Sequence, residues 1–173
     1  MLLTPFRSTL VTVDSVVYIP AAPPPIFESY FSQRDTLTPD FWPKSVLQAV
    51  FLPLRANGAV VSGWPGYDAV QGRLLRAPIL RAFADARAPK EVREWVGSIA
   101  TMAPFDRIVT SHFASPIKAT PAEYAAAFKY LDGPTSDPPI ACEDWKLLDG
   151  LNELIDTQKL GAPVVYDFKQ GCK

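Results

Sequence analysis

The sequence predicts an α/β domain: a short mixed sheet with flanking helices and one extra helix near the C-terminus. β-branched runs at residues 8–13 and 16–19, and a third within 106–113, read as strands. Around them, apolar residues recur at helical spacing over 43–52, 67–87, 89–103, 121–131 and 143–158. A chain of 173 residues is long enough for one hydrophobic core and short for two. The domain is expected over residues 1–133. Residues 134–173 then form a proline-rich link, an amphipathic helix and a tail, packed on the domain or on a partner.

Residues 8–19 are almost continuously apolar except for Asp14-Ser15, which predicts two strands, or one bent at the aspartate, in a sheet covered on both faces. Pro20 and then Pro23-Pro24-Pro25 end the pattern, because proline cannot donate to a ladder. Residues 26–33 read as a short helix carrying Phe27, Tyr30 and Phe31, and 34–40 as a loop. Asp40 as N-cap and Pro43 in the first turn open a helix reaching Leu52. Its stripe of Trp42, Val46, Leu47, Val50, Phe51 and Leu54 is wide enough for a core or a partner surface. Asn57-Gly58 is a turn, 59–62 a short strand, and Gly63-Trp64-Pro65-Gly66 a loop.

Over 67–87, Val70, Leu74, Leu75, Ile79, Leu80 and Phe83 keep helical spacing, with Arg73, Arg76, Arg81 and Arg87 on other faces. Pro78 should kink or divide that helix. Pro89 restarts a helix with Val92, Trp95, Val96, Ile99 and Met102 inward. The helix after His112 has the clearest start in the chain, since Thr120, Pro121 and Glu123 make a capping box. It runs to Leu131 and stops at Asp132-Gly133-Pro134. Trp145, Leu148, Leu151, Leu154 and Ile155 align on the last helix, and 164–166 reads as an edge strand.

Seventeen basic against eighteen acidic residues leave a formal charge of −1, which gives no support to electrostatic nucleic-acid binding. Eighteen prolines, about twice the usual ~5% share, divide the chain into short pieces. No apolar run reaches the ~18 residues that would suggest a membrane span, so the chain reads as soluble or peripherally attached to a membrane. Met1-Leu2-Leu3-Thr4-Pro5 carries none of the features of a targeting peptide. Cys142 and Cys172 show no metal-ligand spacing. Buried or idle thiols are the favoured reading, and a disulfide tying down the tail is the alternative.

The chain has a single histidine, His112, delivered by the 106–113 run to a strand end, where α/β folds usually hold their chemistry. Asp14 stands at another strand end. A carboxylate and an imidazole suit zinc, yet two ligands seldom hold it. The plainer expectation is that Asp14 shapes a turn and His112 hydrogen-bonds a backbone carbonyl. Ser111 beside His112 makes a poor triad, because successive residues on a strand point to opposite faces. The dinucleotide, P-loop and GxSxG fingerprints are all absent. Arg73, Arg76 and Arg81 read as a solvated helix face, or else as a surface for an anionic partner. The aromatic stripes read first as core. Trp42, Val46, Val50 and Phe51 on one helix and Trp145 and Leu148 on the last are the candidate partner-binding residues.

The runs Phe105-Asp106-Arg107-Ile108-Val109-Thr110-Ser111-His112-Phe113 and Thr120-Pro121-Ala122-Glu123-Tyr124, with Ala127-Phe128 and Leu131, resemble the end of a poorly characterised family of plants, algae and bacteria. That family has a metallo-β-lactamase-like fold. Residues 8–20 resemble its earlier strand, where an aspartate follows the aliphatic run. The resemblance implies half of an αββα sandwich, with Asp14 and His112 where the fold's late aspartate and last histidine stand as metal ligands. The first half with its histidine motif is missing. The resemblance therefore implies a C-terminal half alone, with no cofactor of its own, acting as a catalytically inactive structural subunit among other protein subunits. By the same resemblance the setting is a chloroplast, in a complex that could be photosynthetic. The competing expectation is a zinc-dependent hydrolase completed by a second chain.

Overall fold

The computed structural model describes residues 8–31, 38–57 and 63–172. In chain order it contains β1 (Thr9–Val11), β2 (Val17–Tyr18), α1 (Ile26–Phe31), α2 (Phe41–Ala49), α3 (Pro65–Val70) and β3 (Leu74–Leu75). Next come α4 (Pro78–Leu80), which runs on as a π-helical turn over Arg81–Asp85, and then α5 (Pro89–Met102), β4 (Arg107–Val109) and β5 (Ile117–Lys118). The chain ends with α6 (Pro121–Ala126), 3-10 turns at Lys129–Asp132 and Cys142–Trp145, and α7 (Lys146–Thr157).

The fold is mixed α/β, as expected, with a smaller sheet than the resemblance implied. β1 pairs in parallel with β4, Leu10 opposite Ile108, and β5 adds antiparallel on the other side of β4. β2 and β3 form a separate antiparallel pair, Val17 opposite Leu75. No metallo-β-lactamase sandwich is recognisable in three strands and two.

The helix expected over 67–87 is two helices with a strand between them. Gly72 has φ +67° and donates to Ile19 O at 2.7 Å. A positive φ ends a right-handed helix, and the next residues are free to pair with β2. The edge strand expected at 164–166 does not form a ladder; Val165 and Tyr166 both donate to Ala86 O instead. The strand expected at 59–62 lies outside the described residues. The capping box is present as predicted: Thr120 Oγ1 accepts from Glu123 N, and Glu123 accepts from Thr120 N at 2.7 Å.

Two apolar clusters form the core. One gathers β2, β3, α2, α3 and the last helix around Val17, Val46, Leu47, Val70, Trp145 and Leu148. The other lies between the three-stranded sheet and α5–α6, around Ile108, Ile117, Tyr124 and Phe128. Trp95 and Met102, expected inward, are exposed, at 41% and 73%; Trp95 lies edge-on to Phe128 at the rim of the second cluster, with centroids 6.0 Å apart. Each side chain buried in either cluster stabilises the fold by about 1.5–3 kcal/mol. Trp145, Leu148 and Phe168, all beyond residue 134, pack into the same cluster as α2 and α3.

Candidate functional site

Parallel pairing of β1 and β4 brings two strand ends side by side. Backbone bonds continue past both strands: Thr12 N donates to Val109 O at 2.9 Å and Ser111 N to Val13 O at 3.1 Å. The loop after β4 then turns sharply. Thr110 Oγ1 lies 3.0 Å from His112 O and 3.2 Å from Ala114 O, Ser115 Oγ accepts from Thr110 N, and Phe113 takes φ +61°. A phenylalanine in the left-handed region is uncommon and costs energy, so the surrounding bonds must hold it.

The result places His112 Nδ1 2.5 Å from Asp14 Oδ1. The two residues meet through their side chains, at the turn that Asp14 itself occupies. With the proton on Nδ1 donated to the carboxylate, Nε2 is left as an acceptor, able to take a proton or bind a metal. Both side chains are open to water, 63% exposed for His112 and 42% for Asp14. They border a cleft of about 350 Å³ whose other walls are apolar, chiefly Val17, Val50, Ile79, Leu80 and Phe113.

The same turn is held by Arg76, which the helical spacing puts on an outer face, and by Asp85 and Tyr130, for which the sequence carries no signal. Arg76 donates to Asp14 O at 3.2 Å and Ser15 O at 3.1 Å, and its other nitrogens reach both oxygens of Asp85 at 2.8 Å. Tyr130 OH donates to Asp85 as well. Burial works to lower the Arg76 pKa, and the hydrogen bond and charge of Asp85 outweigh it, so the guanidinium is held more firmly protonated than usual. Burial, reinforced by Asp85, pushes the Tyr130 hydroxyl up. Arg81, only 4% exposed, stacks 4.0 Å above the Tyr130 ring, and burial brings its pKa down to about 10. Arg76 and Arg81 are therefore interior residues and not a solvated face; Arg73 does lie outside, paired with Asp137 at 2.7 Å.

Zinc sites use three or four protein ligands. Asp14 and His112 supply two, and among the described residues no group of three or more histidines, cysteines, aspartates or glutamates is gathered where it could hold a metal. The residues present fit half of such a site. Trp42, Val46, Val50, Trp145 and Leu148, named as partner-binding candidates, are each 6% exposed or less and line the core; Phe51 alone reaches the surface, at 41%. Cys142 and Cys172 are joined in a disulfide, which corrects the favoured reading of idle thiols.

Residues 62–130, from the approach to α3 through α6, match the model of a domain of unknown function, DUF4336. That stretch holds His112, Arg76, Asp85 and Tyr130, and leaves out Asp14. No curated protein and no solved structure matches the chain. No helix among the described residues is long and apolar enough to cross a membrane.

Proposed function

We propose that this chain is a non-catalytic structural subunit of a larger protein assembly, built on what remains of a metallo-β-lactamase-like half. The observation that supports it best is the free edge of the sheet. β1 is the end strand, paired only with β4 among the described residues, and Val11 and Val13 are 75% and 64% exposed. An open edge with exposed valines is a template on which another chain can add a strand and cover apolar surface. A chloroplast setting, in a photosynthetic complex, enters the proposal on the resemblance alone.

The Asp14–His112 contact favours a second reading, a metal-dependent hydrolase whose remaining ligands come from the added chain. A strand laid along β1 would end beside Asp14. One experiment separates the two: size the protein purified undenatured from its source, and measure bound metal on the same fractions. Migration in a large complex without metal is the expected result. A free species of 19.0 kDa, or a small oligomer, with stoichiometric zinc that is lost in His112→Ala would overturn the structural reading in favour of the hydrolase.

A further inference from the structure

After α7, residues 158–172 contain no helix or strand, so the segment is held only by separate anchors. Val165 N and Tyr166 N donate to Ala86 O at 2.9 and 3.0 Å. Tyr166 OH donates to Tyr130 O, and Lys169 pairs with Asp149 at 2.9 Å. Phe168 is the fully buried side chain of the segment, edge-on to Trp145 with centroids 5.4 Å apart.

The far end is fixed by two further features. Gly171 has φ +79° and lies so close to Thr135 that a Cβ would overlap that residue's backbone, a fit open to glycine alone. One residue on, Cys172 is bonded to Cys142, with 5.1 Å between Cα atoms. The segment is thus a strap, and it meets the Trp145 ring through Phe168 and the Tyr130 backbone through Tyr166, the two residues whose rings lie against Arg81. That guanidinium lies 4.0 Å from the Tyr130 centroid and 5.3 Å from that of Trp145, and its buried Nε has no hydrogen-bond partner among the described residues.

The two ends of the disulfide are held unequally. Cys142 opens a 3-10 turn that leads directly into α7, and the neighbouring Asp144 accepts from Arg55 at 2.9 and 3.1 Å. Cys172 lies at the end of a segment without helix or strand, half-buried against the first core cluster. Cys142 is also the more exposed of the two residues, which favours it as the site of attack.

We propose that Cys142–Cys172 is a thiol-exchange site for a dithiol reductant, and that opening it frees the strap, Phe168 included, from Trp145 and Arg81 while the rest of the first cluster and the sheet cluster stay folded. A thiolate of the dithiol attacks Cys142 Sγ; the Cys142–Cys172 bond breaks, and its electron pair leaves on Cys172 Sγ, which takes up a proton. The second thiol of the reductant, deprotonated, attacks its own sulfur in the mixed disulfide and expels Cys142 as a thiolate, which is then protonated. The protein gains two electrons and two protons, and the dithiol ends as a disulfide. Release uncovers an aromatic face with a cation set into it.

The test uses the full oxidised chain and dithiothreitol without denaturant, with thiol titration and amide hydrogen exchange as readouts. Two thiols per chain should appear, and exchange over 161–172 should speed by about tenfold or more, as for locally opened segments. Exchange in α2 and β4 should be unchanged. The Cys142→Ser/Cys172→Ser double variant should match the reduced protein. A bond that resists the dithiol until the chain is unfolded, reduction that leaves the strap's exchange unchanged, or reduction that unfolds α2 and β4 with it would each overturn the proposal.

Discussion

The Arg76 and Asp85 side chains are 9% and 0% exposed, those of His112 and Asp14 are 63% and 42%, and both pairs grip the turn that follows β1. Arg76 holds the turn by its backbone carbonyls, and His112 touches it through the Asp14 carboxylate. Distance does not separate them, since both are short contacts. Water does. A charge with no partner in the interior is costly, so neither member of the inner pair can be lost alone. A pair in water trades its contact for hydration at little net cost. The inner pair belongs to folding; the outer pair is free to be used by something else.

The largest expected effect is therefore inside. Asp85→Ala leaves Arg76 charged and buried and deprives Tyr130 OH of its acceptor, and should cost about 3–5 kcal/mol in urea denaturation. Arg76→Met combined with Asp85→Leu removes both charges together and should be more stable than Asp85→Ala alone. If the double variant is the less stable, the bonds from Arg76 to the Asp14 and Ser15 carbonyls outweigh the ion pair, and the inner pair matters chiefly as a clamp on the turn.

Thr120 tests the ground between the two pairs, because its capping box is exposed yet serves backbone donors. Thr120→Ala should cost about 1 kcal/mol, read from the denaturation midpoint. The hydrogen bonds from Thr120 hold the Glu123 carboxyl below its ordinary 4.5. A lowered folded pKa gives stability that is complete above that ordinary value and lost as pH falls through the folded one. The gap between wild type and Thr120→Ala should accordingly narrow in acid. A gap that stays constant from neutral pH to pH ~3 would mean that the carboxylate contributes nothing to the cap.

Features that depend on near neighbours in sequence were legible. The capping box is four residues long and needs only its own backbone, and the Pro89 helix needs only its stripe. The pairing of Asp14 with His112 was half legible, since both were assigned to strand ends but their direct contact depends on β1 and β4 lying in parallel. Arg76 and Asp85 gave no sign of burial, because a charged residue within an amphipathic pattern reads as solvent-facing unless its partner is known. Leu74-Leu75 reads as helix because a short apolar run fits either period; Gly72 beside it is the usable signal. The stripes of α2 and α7 showed that both helices are amphipathic, but periodicity cannot say whether the apolar face meets its own core or another chain. Two cysteines thirty positions apart allow either idle thiols or a disulfide on the tail, and only the path of the strap decides for the disulfide.

The smallest effect should come from the outer pair, and it is the one that sharpens the contrast most. His112→Ala removes an exposed imidazole whose partner Asp14 stays hydrated, so urea denaturation should shift by no more than about 0.5 kcal/mol. A ligand that binds only the folded state raises its stability with concentration. If the chain by itself supplies only two zinc ligands, added zinc should leave the melting temperatures of wild type and His112→Ala equally unmoved. A zinc-dependent rise in wild type that vanishes in His112→Ala would mean that the exposed pair is a working metal site in the isolated chain. A loss well above 1 kcal/mol without zinc would mean instead that the pair holds the turn much as Arg76 does, and the two pairs would then differ in exposure but not in role.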